Sequence, residues 1–334
     1  MTETAPVTLQ HPDVPRPASG WSESQTLHVA AAYSNPCRWQ ARRRLFNDFR
    51  RHMNAAANVR LYVGELAYGD RPHEVTGSHS GDLQLRTAHE LWHKENILNR
   101  VIQAFPPNWK YGAYCDGDFH FTRHDWALEA IHQLQHFDFV QLFSTYSDLG
   151  RDHVPTGLRY GFVYARAQRL DSSGHRVPLP HCSGYGGIGS PGGAWAFRRS
   201  ALEAVGGLLD ICVLGSGDHH MAVGLARLGS QKFRPHLDTA IETAPYGAAI
   251  RNWQRRAAAL DGNIGYVEAH AVHHYHGSKA SRGYAWRPRL LRQHCFDPHR
   301  DLMRDAQGIY QLTDEKPQLR DDIRAYFRSR NEDS

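Results

Sequence analysis

The sequence predicts an α/β protein whose sheet is mainly parallel and flanked by helices. Three observations carry this. Apolar, strand-like segments alternate with amphipathic helical segments through the first half, the pattern of a parallel sheet with crossover helices. Polar residues follow two of those strands directly, Asn35 and Asp116, and in such sheets the ligand crevice lies at the carboxyl ends. The chain has 334 residues, 41% hydrophobic and 22% charged, enough for a sizeable core in one large domain.

Residues 1–25 are rich in Pro, Ser and Thr without periodicity and predict a loose arm. Thr26–Tyr33 (TLHVAAAY) reads as a buried strand, stopped by Ser34-Asn35-Pro36. Arg38–Met53 has helical spacing, with Trp39, Leu45, Phe46 and Phe49 inward and arginines outward. Val59–Leu66 is a second strand. Thr87–Phe105 predicts an amphipathic helix that Pro106-Pro107 ends. Lys110–Cys115 is a strand running into Asp116-Gly117-Asp118. A helix near His124–His136 and a strand near Asp138–Phe143 follow. Residues 181–197 hold six glycines, the mark of a loop with close backbone approaches. Helices are predicted from Asp218, over Ala248–Leu260, Arg282–His294 and Leu319–Phe327, with a strand over Val267–His276.

Composition excludes several classes. No long apolar run is present, so no membrane span is expected. The first twenty residues lack the basic start and apolar centre of a secretion signal. Five cysteines (Cys37, Cys115, Cys182, Cys212, Cys295) stand far apart and never in C-x-x-C spacing. A reduced, cytoplasmic protein without structural zinc is expected. Of the 39 lysines and arginines only five are lysine, and the formal charge is +5, a balance that permits a nucleic-acid partner without demanding one.

Four segments have chemistry available to them. In Asp116-Gly117-Asp118, a strand conformation would set both carboxylates on one side, where hard cations such as Mg²⁺ or Mn²⁺ take oxygen ligands. A plain Asp-Gly turn is the competing reading. In His273-His274-Tyr275-His276-Gly277-Ser278-Lys279, a continued strand puts His274 and His276 on one face as rival imidazole ligands. Lys279 and Arg282 then stand ready to neutralise a diphosphate. In Gly215-Ser216-Gly217-Asp218, Asp218 is either a helix cap or a general base. In Gly192-Gly193-Ala194-Trp195-Ala196-Phe197, the glycines admit a ligand and Trp195 either covers a sugar or sits in the core.

The order of these segments, with Lys94-Glu95-Asn96-Ile97-Leu98-Asn99 ahead of the D-x-D, resembles the GT-A fold (Rossmann-like) glycosyltransferases of the galactosyltransferase-like pattern. The resemblance covers about residues 26–282. It implies a GT-A domain over 26–280 and a helical extension over 281–334. It also implies Mn²⁺ (or Mg²⁺) and a nucleotide-sugar donor, by default a UDP-sugar. Asp116 and Asp118 would bind the metal, with His276 as third ligand. Asn35, Arg38, Glu65, Lys94, Asp116 and Lys279 would lie near the donor. Gly192, Gly193 and Trp195 would line the sugar and acceptor site. Asp218 would deprotonate the acceptor hydroxyl, giving inversion, although His219 and His220 stand where that pattern has further acids.

The segment H-G-S-K-x-x-R-x-Y, with Phe296-Asp297-Pro298 and Arg328–Asp333, is similar to glycosyltransferases encoded by phages. That similarity implies a hydroxymethylated base in duplex DNA as acceptor, with a glycan or small molecule as the alternative. Two other classes compete. A two-metal phosphoesterase needs a denser ligand set than the sequence shows near the D-x-D. A non-catalytic nucleic-acid binder would use the arginine stretches and leave the D-x-D as a turn.

Overall fold

The computed structural model describes residues 25–77, 79–171, 173–176, 189–228, 243–284 and 286–334. Residues 1–24 of the arm, together with Cys182 and Gly184, Gly186 and Gly187 of the glycine-rich segment, lie outside the described residues.

Strand β1 (Leu27–Ser34) is almost wholly buried and occupies the middle of the main sheet. Its near-continuous apolar run suits a strand covered on both faces. Parallel partners lie on either side, β2 (Val59–Tyr68) and β4 (Tyr111–Cys115), and β3 (Asp82–Thr87) extends the sheet beyond β2. On the other side come β9 (Ala194–Arg198), β6 (Phe139–Gln141) and β10 (Ile264–Tyr266). Only β9 runs against its neighbours, pairing antiparallel with both β4 and β6. The seven-stranded sheet is therefore mainly parallel, the Rossmann-like arrangement expected.

Helix α1 (Gln40–Ala55) buries Leu45, Phe46, Phe49 and Met53, the stripe that its spacing predicts. Helix α2 (Lys94–Gln103) buries Ile97, Leu98, Val101 and Ile102. It starts seven residues later than expected, because Thr87 ends β3 and residues 88–93 are irregular. Asn96 and Asn99 on α2 both reach Asp210, at 3.5 and 3.2 Å, and Asn99 also bonds the carbonyl of Leu208 at 2.9 Å.

A second sheet stands at the carboxyl end of β4. Its order is β5 (Phe119–Phe121), β11 (His270–His273), β7 (Thr145–Leu149), β8 (Pro155–Tyr160). Further helices are α3 (Trp126–Gln133), α4 (Phe162–Gln168), α5 (Arg199–Val205), α6 (Gly217–Leu225) and α7 (Ala244–Ala258). The stretch after residue 280 holds α8 (Arg287–Gln293) and α9 (Pro317–Ser329), with the hairpin β12 (Leu302–Arg304) and β13 (Tyr310–Leu312) between them. It packs into the main core: Leu291, Phe296, Ile323 and Phe327 share one apolar cluster with Leu98 and Phe197. Among the described residues no helix is long and apolar enough to cross a membrane.

Candidate metal and nucleotide site

Asp116-Gly117-Asp118 is the turn between β4 and β5 rather than a strand end, with the Phe119 N–H donating to the Asp116 carbonyl at 3.2 Å. Gly117 is required there, since a Cβ would come 2.6 Å from the Phe46 ring. The turn sends the two carboxylates apart. Asp116 meets Lys94 Nζ at 3.0 Å. Asp118 turns to the histidines, with its Oδ2 3.0 Å from His276 Nε2 and 3.7 Å from His273 Nε2.

The second sheet explains this meeting. Phe119 of β5, His273 of β11 and Asp148 of β7 are register partners on three adjacent strands. Strand β11 stops at His273, so the alternation expected through His276 fails. His274 points away from Asp118, with its Nε2 3.1 Å from His120 Nδ1. His273 takes its place, and the loop to Gly277 (φ +84°) returns His276 to the same spot. Among the described residues, Asp118, His273 and His276 form the group able to hold a cation, with ligand atoms all within 4.8 Å of one another. Asp116 is not in it, which corrects the paired-carboxylate expectation: Lys94 draws that carboxyl away.

One carboxylate and two imidazoles form a donor set that fits a first-row divalent cation, Mn²⁺ among them, better than Mg²⁺ or Ca²⁺. Asp118 Oδ1 is buried without a hydrogen-bond partner, a ligand atom with nothing else to do. His273 Nδ1 lies 2.9 Å from Asp148 Oδ1, so Nδ1 donates to that carboxylate and Nε2 is the nitrogen turned towards Asp118. Burial alone would raise the Asp118 carboxyl, but His276 and His273 outweigh it and hold it well below the usual range. Burial likewise opposes ionisation of Asp148, and hydrogen bonds from His273 and Lys279 reverse the balance.

The site opens into a cavity of about 690 Å³. Lys94, Asp116, Asp118, Gly192, Gly193, Asp218, His276 and Lys279 all line it. Burial disfavours the Lys94 charge, yet Asp116, then Glu95 and Asp218, hold the ammonium well above its ordinary value. Burial raises the neighbouring Glu95 carboxyl to about 7, with Lys94 opposing and Asp218 adding. Asp218 lies in the first turn of α6, and Ser216 before it adopts φ +74°. The Asp218 carboxylate presses on the glycine loop: a Cβ on Gly192 would stand 2.5 Å from Oδ2. Gly193 (φ +93°) gives its carbonyl to the Asp116 N–H at 2.8 Å. Lys279 pairs with Asp148, which also takes Arg159 Nε at 3.1 Å.

Four expected residues do not line the cavity. Asn35 is buried in the turn after β1, where Oδ1 accepts the Trp39 N–H at 2.9 Å and Nδ2 reaches the Trp39 carbonyl at 3.0 Å. Arg38 is exposed at φ 59°. Glu65 organises a loop, accepting the N–H groups of Glu74, of Val75 at 3.0 Å and of Thr76 at 2.8 Å. Trp195 is in the core, opposite Tyr114, with Nε1 bonded to the Pro191 carbonyl at 2.8 Å. Among the residues not foreseen as site residues, His273, Asp148, Glu332 and the buried Glu95 face the cavity. Arg282, foreseen as a diphosphate partner, does line it.

Fold and site define an α/β protein with a candidate cation centre at the carboxyl end of a mainly parallel sheet. No protein-family model matches the chain, and no curated protein matches it. Among solved structures it is similar to the catalytic domain of Drosophila beta1,4galactosyltransferase 7 complexed with xylobiose, at 13% identity and TM-score 0.32, over 63% of this chain and 65% of that one. It is similar to a Pyrobaculum calidifontis mannosyltransferase in complex with GDP-Man and Mn²⁺, at 14% identity and TM-score 0.34, over 63% of this chain and 54% of that one. A putative nucleotide-diphospho-sugar transferase from Desulfovibrio desulfuricans aligns over 92% of this chain and 99% of its own, at 11% identity and TM-score 0.33. The first two alignments span less than two thirds of those chains, and at these scores none decides the reaction.

Proposed function

We propose that the chain is a metal-dependent glycosyltransferase that moves a sugar from a nucleoside diphosphate sugar, a UDP-sugar by default, to an acceptor hydroxyl. The observation that carries this is the convergence of Asp118, His273 and His276 on a cavity that also presents Lys94, Lys279 and Arg282. A bound divalent cation supplies positive charge to the diphosphate leaving group. Arg282 and Lys279 add fixed cationic groups on the same wall. Lys94 holds Asp116 and so fixes the D-x-D turn. Asp218, at the mouth of α6, accepts the proton of the acceptor hydroxyl, and the bare Cα of Gly192 leaves its carboxylate room. A base in that place needs no covalent sugar–enzyme intermediate, so inversion follows.

A hydroxymethylated base in duplex DNA is the specific acceptor in this reading. Arg43, Arg44 and Arg51, exposed on α1, support a phosphate-facing surface, whereas Arg50 is buried and paired with Asp82 at 3.1 Å. The test is thermal stabilisation by UDP, GDP, ADP and CDP, each with Mn²⁺ and with EDTA, in the wild type and in Asp118→Ala. A ligand at a hundredfold excess over its Kd stabilises by about 2.7 kcal/mol. One diphosphate should stabilise the wild type only with Mn²⁺, and Asp118→Ala not at all. No shift with any of the four at millimolar concentration rejects the reading and points to a nucleic-acid binder.

A further inference from the structure

We propose that the segment Arg330–Asp333 is a positioning strap for the cation site, acting through His276. The inference rests on the reading of Asp118, His273 and His276 as cation ligands. After α9 the chain turns at Asn331 (φ 41°) and crosses directly over Gly277, the residue that follows His276. The approach is close: a Cβ on Gly277 would lie 3.0 Å from both the Asn331 carbonyl oxygen and Glu332 Cα. Any other residue at 277 would push the strap off the loop, and its φ of +84° also favours glycine.

Two adjacent carboxylates then fasten the segment on the far side. Glu332, 1% exposed, takes Arg42 Nε at 2.9 Å and Nη2 at 2.6 Å, and Arg330 Nε at 2.8 Å. Its Oε2 stands 3.9 Å from Nδ1 of His276, on the opposite side of the ring from Asp118. Arg42 reaches on to the Ser34 carbonyl at 2.7 Å, at the end of β1. Asp333 accepts the N–H groups of Gln40 at 3.0 Å and Ala41 at 2.8 Å. Helix α1 has no acidic residue in its first turn and no side-chain cap from Trp39, so Asp333 supplies the missing anion at that helix start.

The strap thus ties the start of α1 and the end of β1 to the loop that carries His276. A buried ion pair of this kind is weak grounds for stability, because desolvation offsets the attraction. Its position behind a ligand histidine is what gives it work: the imidazole keeps its place only while the loop under Gly277 is pinned. Arg328–Asp333 stands out in the sequence for a resemblance alone; the bonds from Glu332 and Asp333 to the start of α1 join positions 290 or more residues apart, which no local pattern reveals.

The experiment titrates the full chain with Mn²⁺ alone. Free aquo ion is counted by electron paramagnetic resonance, and coordinated imidazoles by electron spin-echo modulation. Wild type, Asp333→Asn and Glu332→Gln are compared, with thermal melts to show that each is folded. Asp333 is exposed, so its variant serves if Glu332→Gln does not fold. The wild type should bind Mn²⁺ with two imidazoles. Both variants should bind about tenfold more weakly, the scale of an outer-shell change, with one imidazole at saturation. Unchanged affinity in both, or weaker affinity with two imidazoles retained, overturns the strap while leaving the cation site standing. A wild type that binds no Mn²⁺ overturns the cation site and the strap with it.

Discussion

Oδ1 of Asp148 lies 2.9 Å from Nδ1 of His273, and the two residues are register partners across the parallel strands β7 and β11. The sheet itself therefore fixes the imidazole, and with it the nitrogen that faces Asp118. Lys279 and Arg159 hold Asp148 from its other oxygen, so the carboxylate is not free to turn. This is the arrangement in which a carboxylate sets the tautomer and raises the basicity of a ligand histidine.

Asp148→Asn should weaken Mn²⁺ binding by about tenfold to a hundredfold, the range found when an outer-shell partner is lost. The amide has the same shape, yet it carries no charge to steady the imidazole. Calorimetric titration of the two proteins with Mn²⁺ measures it. Equal affinities would remove Asp148 from the site and leave it as a partner of Lys279 and Arg159 alone.

Gly192→Ala should cost turnover without costing the fold. The new Cβ would meet Asp218 Oδ2, the mobile end of a side chain, so the carboxylate swings aside and the backbone stays. In the proposed reaction Asp218→Asn removes the base outright. General-base catalysis contributes about 10²- to 10⁴-fold, so Asp218→Asn should lower kcat by about 10²-fold or more, and Gly192→Ala should follow in the same direction. Both should keep the wild-type affinity for the nucleoside diphosphate. A Gly192→Ala protein with full kcat would show that Asp218 is not held where the reaction needs it.

In the main sheet β1, β2, β4 and β6 were legible, because their apolar runs alternate with amphipathic helices, whereas β3 and the three-residue β10 were not. Of the second sheet only β11 was, inside the strand expected over Val267–His276. Its strands are three to six residues long, and β8 (PTGLRY) is exposed or half-exposed at every position, so no alternation marks it. Asp148 sits in one of those strands and was missed with it. The choice between His274 and His276 assumed a pleat continued to residue 276. Strand β11 ends at His273, and the parity of the argument flips there. Asn35 follows β1 and Glu65 lies near the end of β2, where donor-site residues would stand, yet Asn35 spends its side chain on the Trp39 backbone and Glu65 on the N–H groups of the Glu74–Thr76 loop. A polar residue at a strand end has the same sequence signature in either role.

Glu95 gives stability a pH dependence of defined sign. Its carboxyl is raised from 4.5 to about 7, chiefly by burial. The folded protein then binds more protons than the unfolded chain between those values, so stability falls as pH rises. The loss begins near the unfolded value and is complete above about pH 7. At 1.36 kcal/mol per unit, it amounts to about 3 kcal/mol. Glu95→Gln stays neutral and escapes the loss. Urea unfolding of both proteins from pH 5 to 8 should show Glu95→Gln gaining on the wild type as pH rises. A difference that does not change with pH over that range rejects the assignment.

Substitution of Arg282 should separate the proposed diphosphate binding from cation binding. Its side chain is buried and lines the cavity, yet among the described residues no carboxylate lies within 4.0 Å of it. Its Nε has no hydrogen-bond partner, and Nη1 makes a long contact of 3.4 Å to the Tyr284 hydroxyl. A buried guanidinium without a counter-ion is costly unless an anion arrives to meet it. A hydrogen bond to a charged group contributes about 1.5–3 kcal/mol, which is roughly tenfold to a hundredfold in affinity. Arg282→Met keeps the apolar stem and removes the charge. It should weaken nucleoside diphosphate binding by that factor, leave the Mn²⁺ affinity within about twofold, and leave stability unchanged or improved in the absence of ligand. Competition binding with the nucleoside diphosphate and a separate Mn²⁺ titration read the two quantities apart. A parallel loss of both would mean that Arg282 acts on the cation loop, six residues after His276, and not on the phosphates.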